Sequence, residues 1–339
     1  MRSFASDNNS GIHPSVLQAI VDANHNHCIA YGDDLWTEKA RQSLKQVFGE
    51  KAEVFFVFNG TGANVLALQS CMSTYHCVVA ASTAHITVDE CGAPEFMTGS
   101  SLKTIPTPDG KLTPDHISPW LSYIGVEHHS QPKVIYISQC TEMGTVYTIN
   151  EIKALTDFAH RHQMYVHMDG ARLANAAAVL GKSLKETSLD CGIDILSLGG
   201  TKNGMMMGEA VITFRKELSD NMKYIRKQSA QLCAKMRYLS AQFIAYMEND
   251  LWLQNARHAN RMAQYLRKEM EAIHPFTFTQ PTDANIILVK LPQVVIKQLL
   301  RKHFFYIWNE NQGEIRLVTS WDTTEEDIKT FVKDLHKLI

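Results

Sequence analysis

Between residues 53 and 214 the chain alternates short apolar runs with longer stretches of helical period. The runs are Val54–Phe58, Val78–Ala81, Lys133–Ser138, Met164–Met168, Ile193–Leu198 and Ala210–Phe214, and the mixed stretch Leu102–Ile105 is a further strand candidate. Each has strand length, and continuous apolar character marks strands covered on both faces. Helical period follows Pro14, with Val16, Leu17, Ile20 and Val21 on one side. Thr37 is read as the N-cap of a helix that ends at Phe48 before Gly49. A turn, Asn59-Gly60-Thr61-Gly62, leads into a helix through Leu66, Leu68 and Met72. Thr113 or Asp115 starts a short helix. Asn150 is read as the cap of another, running to about His162 with Ile152, Leu155, Phe158 and Ala159 on its apolar face. Leu173–Leu180 is a helix of small residues. Strands and helices alternating with short links predict an α/β fold around a mostly parallel sheet.

The pattern changes after Phe214. Residues 216–273 keep helical period throughout and are rich in Lys, Arg, Gln, Met and Ala, which predicts two long helices. The basic run Lys223-Tyr224-Ile225-Arg226-Lys227 is expected to be a solvated face. The remainder reads β-β-α-β-β-α: Phe276–Thr279, Ile286–Leu291, Gln293–His303, Phe305–Trp308, Glu314–Thr319 and Thr324–Leu338. The expected organisation is a large domain at 1–250, beginning with a polar loop at residues 3–13, and a small α+β domain at 251–339. The 339 residues suffice for two such cores.

Composition narrows the function classes. Charged residues are 20% and the net charge is −2, so neither a nucleic-acid nor an anionic-membrane partner is indicated. No apolar run is long enough for a transmembrane helix, and Met1–Asp7 has no apolar segment of a secretory signal. The seven cysteines include no pair two residues apart, which argues against a zinc ribbon or redox pair. Reduced thiols and a cytoplasmic location are expected.

Three loops that follow strands carry candidate chemistry. Gly60-Thr61 opens a helix, where unpaired N–H groups and the helix dipole favour an anion. No Walker pattern and no G-x-G-x-x-G is present. Asp169-Gly170-Ala171-Arg172 follows the strand at Met164, and Gly199-Gly200-Thr201-Lys202-Asn203-Gly204 follows the strand at Ile193. Open α/β sheets bind ligands beyond the carboxyl ends of their strands, so the three loops can converge. A lysine amine can form a Schiff base with an aldehyde. Pyridoxal phosphate needs such a lysine, an anion site for its phosphate and an acid beside its ring nitrogen. Lys202, Gly60-Thr61 and Asp169 supply one of each, and the glycines before Lys202 are expected to leave room for the cofactor.

These stretches, with Ser6-Asp7-Asn8, Tyr31-Gly32-Asp33-Asp34, Ala84-His85-Ile86, His167-Met168-Asp169 and Glu314-Ile315-Arg316-Leu317-Val318, resemble the threonine aldolases. These are pyridoxal-phosphate enzymes of the aspartate-aminotransferase-like fold (fold type I), in the β-eliminating lyase group. The Asp-Gly-Ala-Arg and Gly-Gly-Thr-Lys-Asn-Gly motifs favour the low-specificity L-threonine aldolase type. The resemblance implies retro-aldol cleavage of L-threonine or L-allo-threonine to glycine and acetaldehyde. It implies that Lys202 carries the cofactor, Gly60 and Thr61 hold its phosphate, Asp169 pairs with the ring nitrogen, and His85 stacks on the ring and is the leading candidate base. It assigns the amino-acid carboxylate to Arg172 and Arg316, with Ser6 assisting.

Two places depart from the family pattern. Family members often carry Glu-Asn-Thr-His after the strand at 133–138; this chain has Ser138-Gln139-Cys140-Thr141-Glu142. The family's second active-site histidine falls on either His128 or His129, of which His129 fits the spacing better. A phosphate contact from a neighbouring subunit falls on Arg226 or Lys227. The resemblance further implies a homodimer or homotetramer with its site at the subunit interface. No motif calls for a metal.

Overall fold

The structure is a computed structural model that describes residues 3–339. Seven strands form the main sheet: β1 (Glu53–Val57), β2 (His76–Ala81), β3 (Ser101–Ile105), β4 (Gln131–Ser138), β5 (Tyr165–Gly170), β6 (Ile195–Gly199) and β7 (Glu209–Thr213). Their order is β1-β7-β6-β5-β4-β2-β3. From β3 to β6 neighbouring strands run parallel. β7 is antiparallel to both β6 and β1. Two reversals restore the direction, so β1 points the same way as β6. The loops after β1, β2, β4, β5 and β6 therefore all leave from one edge of the sheet.

The strands β5 to β7 are buried almost throughout, as their uninterrupted apolar runs require. The helix Gly60–Cys71 lies across the sheet and buries residues on all sides. This suits its lack of a polar face. Gly199 permits a close backbone approach, because a Cβ there would sit 2.6 Å from the Cα of Ala171. The end of β6 thus packs directly on the loop after β5. Gly199 makes room for Ala171, and Gly200 for the sulfur of Met205.

A second, antiparallel sheet has the order β10-β11-β9-β8, with β8 (Thr277–Phe278), β9 (Ile286–Lys290), β10 (Tyr306–Asn309) and β11 (Glu314–Val318). It has its own core, formed with the helices Gln293–Leu299 and Glu325–His336. The helix Leu251–Ile273 joins the two cores: Leu251, Trp252 and Ala256 pack in the first, and Met262, Ala263, Leu266 and Met270 in the second.

Four local expectations are corrected. The helix expected from Thr37 begins at Leu35, capped by Asp34, whose carboxylate accepts from the N–H and hydroxyl of Thr37. The helix Ile149–Arg161 is capped by Thr148, which forms a reciprocal box with Glu151; Asn150 lies inside the first turn. Residues 216–273 form four α-helices and a 3-10 turn rather than two helices. The chain turns left-handed at Ala230, and again at Asn249 and Asp250, of which Asn and Asp tolerate that conformation best. Finally, the N-terminal loop is tied down. Phe4 is fully buried in the second core, 5.1 Å from the ring of Phe331, and exchanges backbone hydrogen bonds with Phe304 and Val318.

Candidate active site

The loops from the carboxyl edge meet at a cavity of about 610 Å³. Lys202, His85, Glu142, Arg172, Arg316 and Ser6 are among the residues that line it, together with Trp308 and Tyr306 of β10. Lys202 sits in a 3-10 turn, Thr201–Asn203. That turn is fixed from behind: the Asn203 amide donates to the Tyr246 hydroxyl and the Trp252 carbonyl, and Asn255 donates to the Asn203 carbonyl. Burial and the nearby Arg172 charge hold the Lys202 amine below its ordinary pKa, against the opposing pull of Asp7, Asp169 and Glu209. An amine shifted that way is more available as a nucleophile.

Asp169 ends β5 beside β6, with Gly170 paired to Leu198. Burial alone would push its carboxyl up. The Tyr136 hydroxyl, the Lys202 charge, the Ala171 N–H and His85 outweigh burial and hold it below the usual value. Tyr136 donates at 2.6 Å, Asn64 Nδ2 at 3.0 Å and the Ala171 N–H at 2.9 Å. Asn64 lies on the helix that Gly60 and Thr61 begin, three residues beyond Thr61. One helical turn, about 5 Å, therefore separates the anion-binding helix end from a residue bonded to Asp169. Asn59 caps that helix through the Gly62 N–H, and the N–H groups of Gly60 and Thr61 precede the first intrahelical bond. Gly60, Thr61 and Asp169 are outside the set of residues lining the cavity.

The two arginines differ. Arg172 is buried and already engaged, its Nε and Nη2 donating to the two oxygens of Asp7 at 2.7 and 2.9 Å. Asn285 donates to the same carboxylate at 3.0 Å. Burial opposes charge on both partners, but each charge outweighs it for the other, so Arg172 is raised and Asp7 lowered. The Nε and Nη2 edge of Arg172 is thus engaged by Asp7, while the residue still lines the cavity. Arg316 leaves β11 over Trp308, 5.1 Å from the ring centre, and its buried Nε has no partner among the described residues. Ser6 stands at the cavity wall and caps the turn Asp7–Asn9.

His85 starts a short helix after β2 and is held at two points. Its backbone N–H donates to Glu142 Oε1 at 2.8 Å, and its Nδ1 lies 2.8 Å from Glu90 Oε1. The Glu90 bond, helped by the charge of Asp169, raises the His85 pKa against burial and Lys202. Glu142 also accepts from Ser138, and burial pushes its carboxyl up. The stretch that departs from the family pattern therefore delivers a buried acid to this cavity.

Other expectations are not met within this chain. His129 and His128 precede β4, at the amino edge of the sheet. Eight residues of strand, at about 3.3 Å each, separate them from the carboxyl edge. His129 stacks on Tyr123 at 4.2 Å, and His128 is exposed beside Glu127. Arg226 is not on a solvated face. It is buried, donates to the Phe56 carbonyl and packs 5.8 Å from the Phe55 ring centre; its burial lowers the guanidinium to about 10. Lys227 is exposed, 5.3 Å from the Tyr31 ring centre. No cluster of His, Cys, Asp and Glu suited to a metal occurs among the described residues.

Comparison with known families gives a match to the beta-eliminating lyase model over residues 3–292. The chain belongs to the beta-eliminating lyase family. Within it, the chain is 41% identical to the low specificity L-threonine aldolase of Pseudomonas aeruginosa, across 98% of this chain and 97% of that one. It is 40% identical to the low specificity L-threonine aldolase of a Pseudomonas species, across 100% and 98%. Its structure matches a Leishmania major threonine aldolase with a TM-score of 0.94 at 32% identity, covering 100% of this chain and 99% of that one. An aspartate aminotransferase from Thermus thermophilus matches at 0.72 and 14% identity, a likeness of fold alone. This beta-eliminating lyase family member therefore has the aspartate-aminotransferase-like fold its sequence motifs imply.

Proposed function

We propose that the protein is an aldehyde-lyase that cleaves L-threonine and L-allo-threonine to glycine and acetaldehyde, using pyridoxal phosphate. The observation that carries this reading is the pairing of Lys202 with Asp169 at the ends of adjacent strands, in a chain 41% identical to a low specificity L-threonine aldolase. The residues present fit the cofactor. Lys202 offers an amine held below its ordinary pKa, Asp169 offers a carboxylate held ionised, and Gly60 and Thr61 open a capped helix. When bound, pyridoxal phosphate supplies an electron sink for the pair left at Cα when a substrate bond breaks.

The chain's own groups do the rest. Asp169 keeps a negative charge where a protonated ring nitrogen would lie. Arg316 receives the substrate carboxylate, and retaining that group directs cleavage to Cα–Cβ rather than to decarboxylation. Asp7 holds Arg172 rigid behind it, and Ser6 adds a hydroxyl at the wall. His85 takes the proton of the β-hydroxyl; its oxygen becomes the carbonyl of acetaldehyde as the Cα–Cβ bond breaks, and protonation at Cα then gives glycine. Lys202→Ala is expected to abolish the visible absorption of the bound cofactor and all aldehyde release. A coloured, active variant contradicts the assignment of Lys202.

The same proposal divides the chain into a cofactor-binding unit at 1–250 and a smaller unit at 251–339, with Phe4 strapping the first onto the second. It includes a homodimer or homotetramer whose site is completed across the subunit interface, where the exposed Lys227, rather than the buried Arg226, would face a neighbour's phosphate site. Sedimentation of a fully active monomer contradicts that part. Seven unpaired cysteines support a reducing, cytoplasmic location. Appearance of the chain in a secreted fraction would count against it.

A further inference from the structure

Glu90 is a buried acid to which neither the family resemblance nor the reaction assigns a part. Its side chain is wholly covered, yet one oxygen serves two partners. Oε1 lies 2.8 Å from His85 Nδ1 and accepts from Asn64 Nδ2 at 2.8 Å. The same Asn64 nitrogen donates to Asp169 Oδ2. One amide therefore bridges the acid behind His85 and the acid that faces the cofactor's ring nitrogen. The second Glu90 oxygen is buried with no partner among the described residues. Burying an unpartnered carboxylate oxygen is costly, and such a group is best explained by what its bonded oxygen does.

From this geometry we propose that Glu90 is a positioning residue: it fixes the ring of His85 with the hydrogen on Nδ1 and leaves Nε2 as the nitrogen that takes the substrate's β-hydroxyl proton. The inference rests on the aldolase reading above. A carboxylate only accepts, so the nitrogen facing it must carry the hydrogen. Nε2 is then the basic nitrogen, and the imidazolium formed by proton uptake keeps the bond to Glu90. Glu142 fixes the other end of the residue by accepting its backbone N–H, so both the ring and the main chain of His85 are anchored by buried acids. The ionisable groups around the ring are Glu90 on its own loop, Glu142 after β4, Asp169 at the end of β5, Lys202 after β6, and Asp89 and Arg316 on the cavity wall. Of the groups acting on His85, the Glu90 bond has the largest effect, and it favours the protonated ring.

The test compares wild type with Glu90→Gln and Glu90→Asp as holoenzymes. Two readouts are the pH profile of kcat/KM with L-threonine and the titration of the His85 imidazole by nitrogen NMR, assigned with His85→Asn. Glu90→Gln keeps the shape but removes the charge. Its acid limb and its His85 titration should both move to lower pH, and its plateau kcat should fall on the order of tenfold or more. Glu90→Asp should move both in the same direction by less. A lower plateau with an unmoved acid limb and unmoved His85 titration would assign Glu90 to structure alone and overturn the proposal. If Glu90→Gln does not fold, unmoved readouts in Glu90→Asp overturn it equally. Wild type releasing no glycine and aldehyde would instead remove the aldolase reading, while the His85 titration would still report on Glu90.

Discussion

The two arginines of the cavity separate binding from support at the level of single residues. Arg316→Lys keeps a positive charge but loses the planar fork, so KM for L-threonine should rise about tenfold with a smaller change in kcat. Arg172→Ala acts differently, because it strands the buried Asp7 carboxylate. It should cost about 3–5 kcal/mol in urea unfolding, and Arg316→Lys far less. Equal destabilisation by both would contradict the distinction. Lys202 and Asp169 were legible in the sequence because each follows a buried apolar strand, whereas His85 and Arg316, the latter in the middle of β11, were named through the family resemblance. Asp7, Asn64, Glu90 and Tyr136 were not, since their partners are set by the fold; Asp7 and Arg172 are 165 residues apart in the chain. His129 misled for a related reason: spacing to a strand does not say at which edge of the sheet a histidine emerges.

Whole elements were read better than their ends. Continuous apolar runs identified most strands of the main sheet, because burial on both faces leaves no polar alternation to confuse the pattern; the edge strand β3, Ser-Leu-Lys-Thr-Ile and only partly buried, is the exception. The caps were misplaced by two or three residues at Asp34 and Thr148, where several adjacent polar residues compete for the role. The N-terminal segment was read as a loop, and only the fold shows Phe4 sealing the second core while Ser6 is delivered to the cavity and Asp7 to Arg172. Phe4→Ala should destabilise the second core by about 3–5 kcal/mol. Because the same segment carries Ser6 and Asp7, KM should also rise. Loss of stability with an unchanged KM would uncouple the strap from the site.

Across the whole molecule, one buried base sets a limit on acid stability. His167 of β5 is fully buried, donates to or accepts from Ser197 Oγ at 2.9 Å, and is held at about 4 by burial, with Asp169 offsetting part of the shift. The unfolded chain binds a proton at this residue below about 6.5, and the folded chain only near 4. Stability is therefore lost as pH falls through that window, by up to about 3 kcal/mol from this residue. Urea unfolding from pH 7.5 to 4.5 should show a steeper loss for wild type than for His167→Asn; parallel curves would contradict the buried neutral state. Both the sheet order and the return of β1 to the direction of β6 depend on β7 reversing twice, which no local pattern announces. That reversal is what brings the Gly60 helix to the same edge as Asp169 and Lys202.

The most direct test of the central claim is product analysis of the pyridoxal-phosphate-loaded enzyme with L-threonine. Glycine and acetaldehyde in equal amounts are expected, with L-allo-threonine giving the same pair. Release of a 2-oxo acid and ammonia, with no glycine, would contradict cleavage between Cα and Cβ and assign the site to elimination instead.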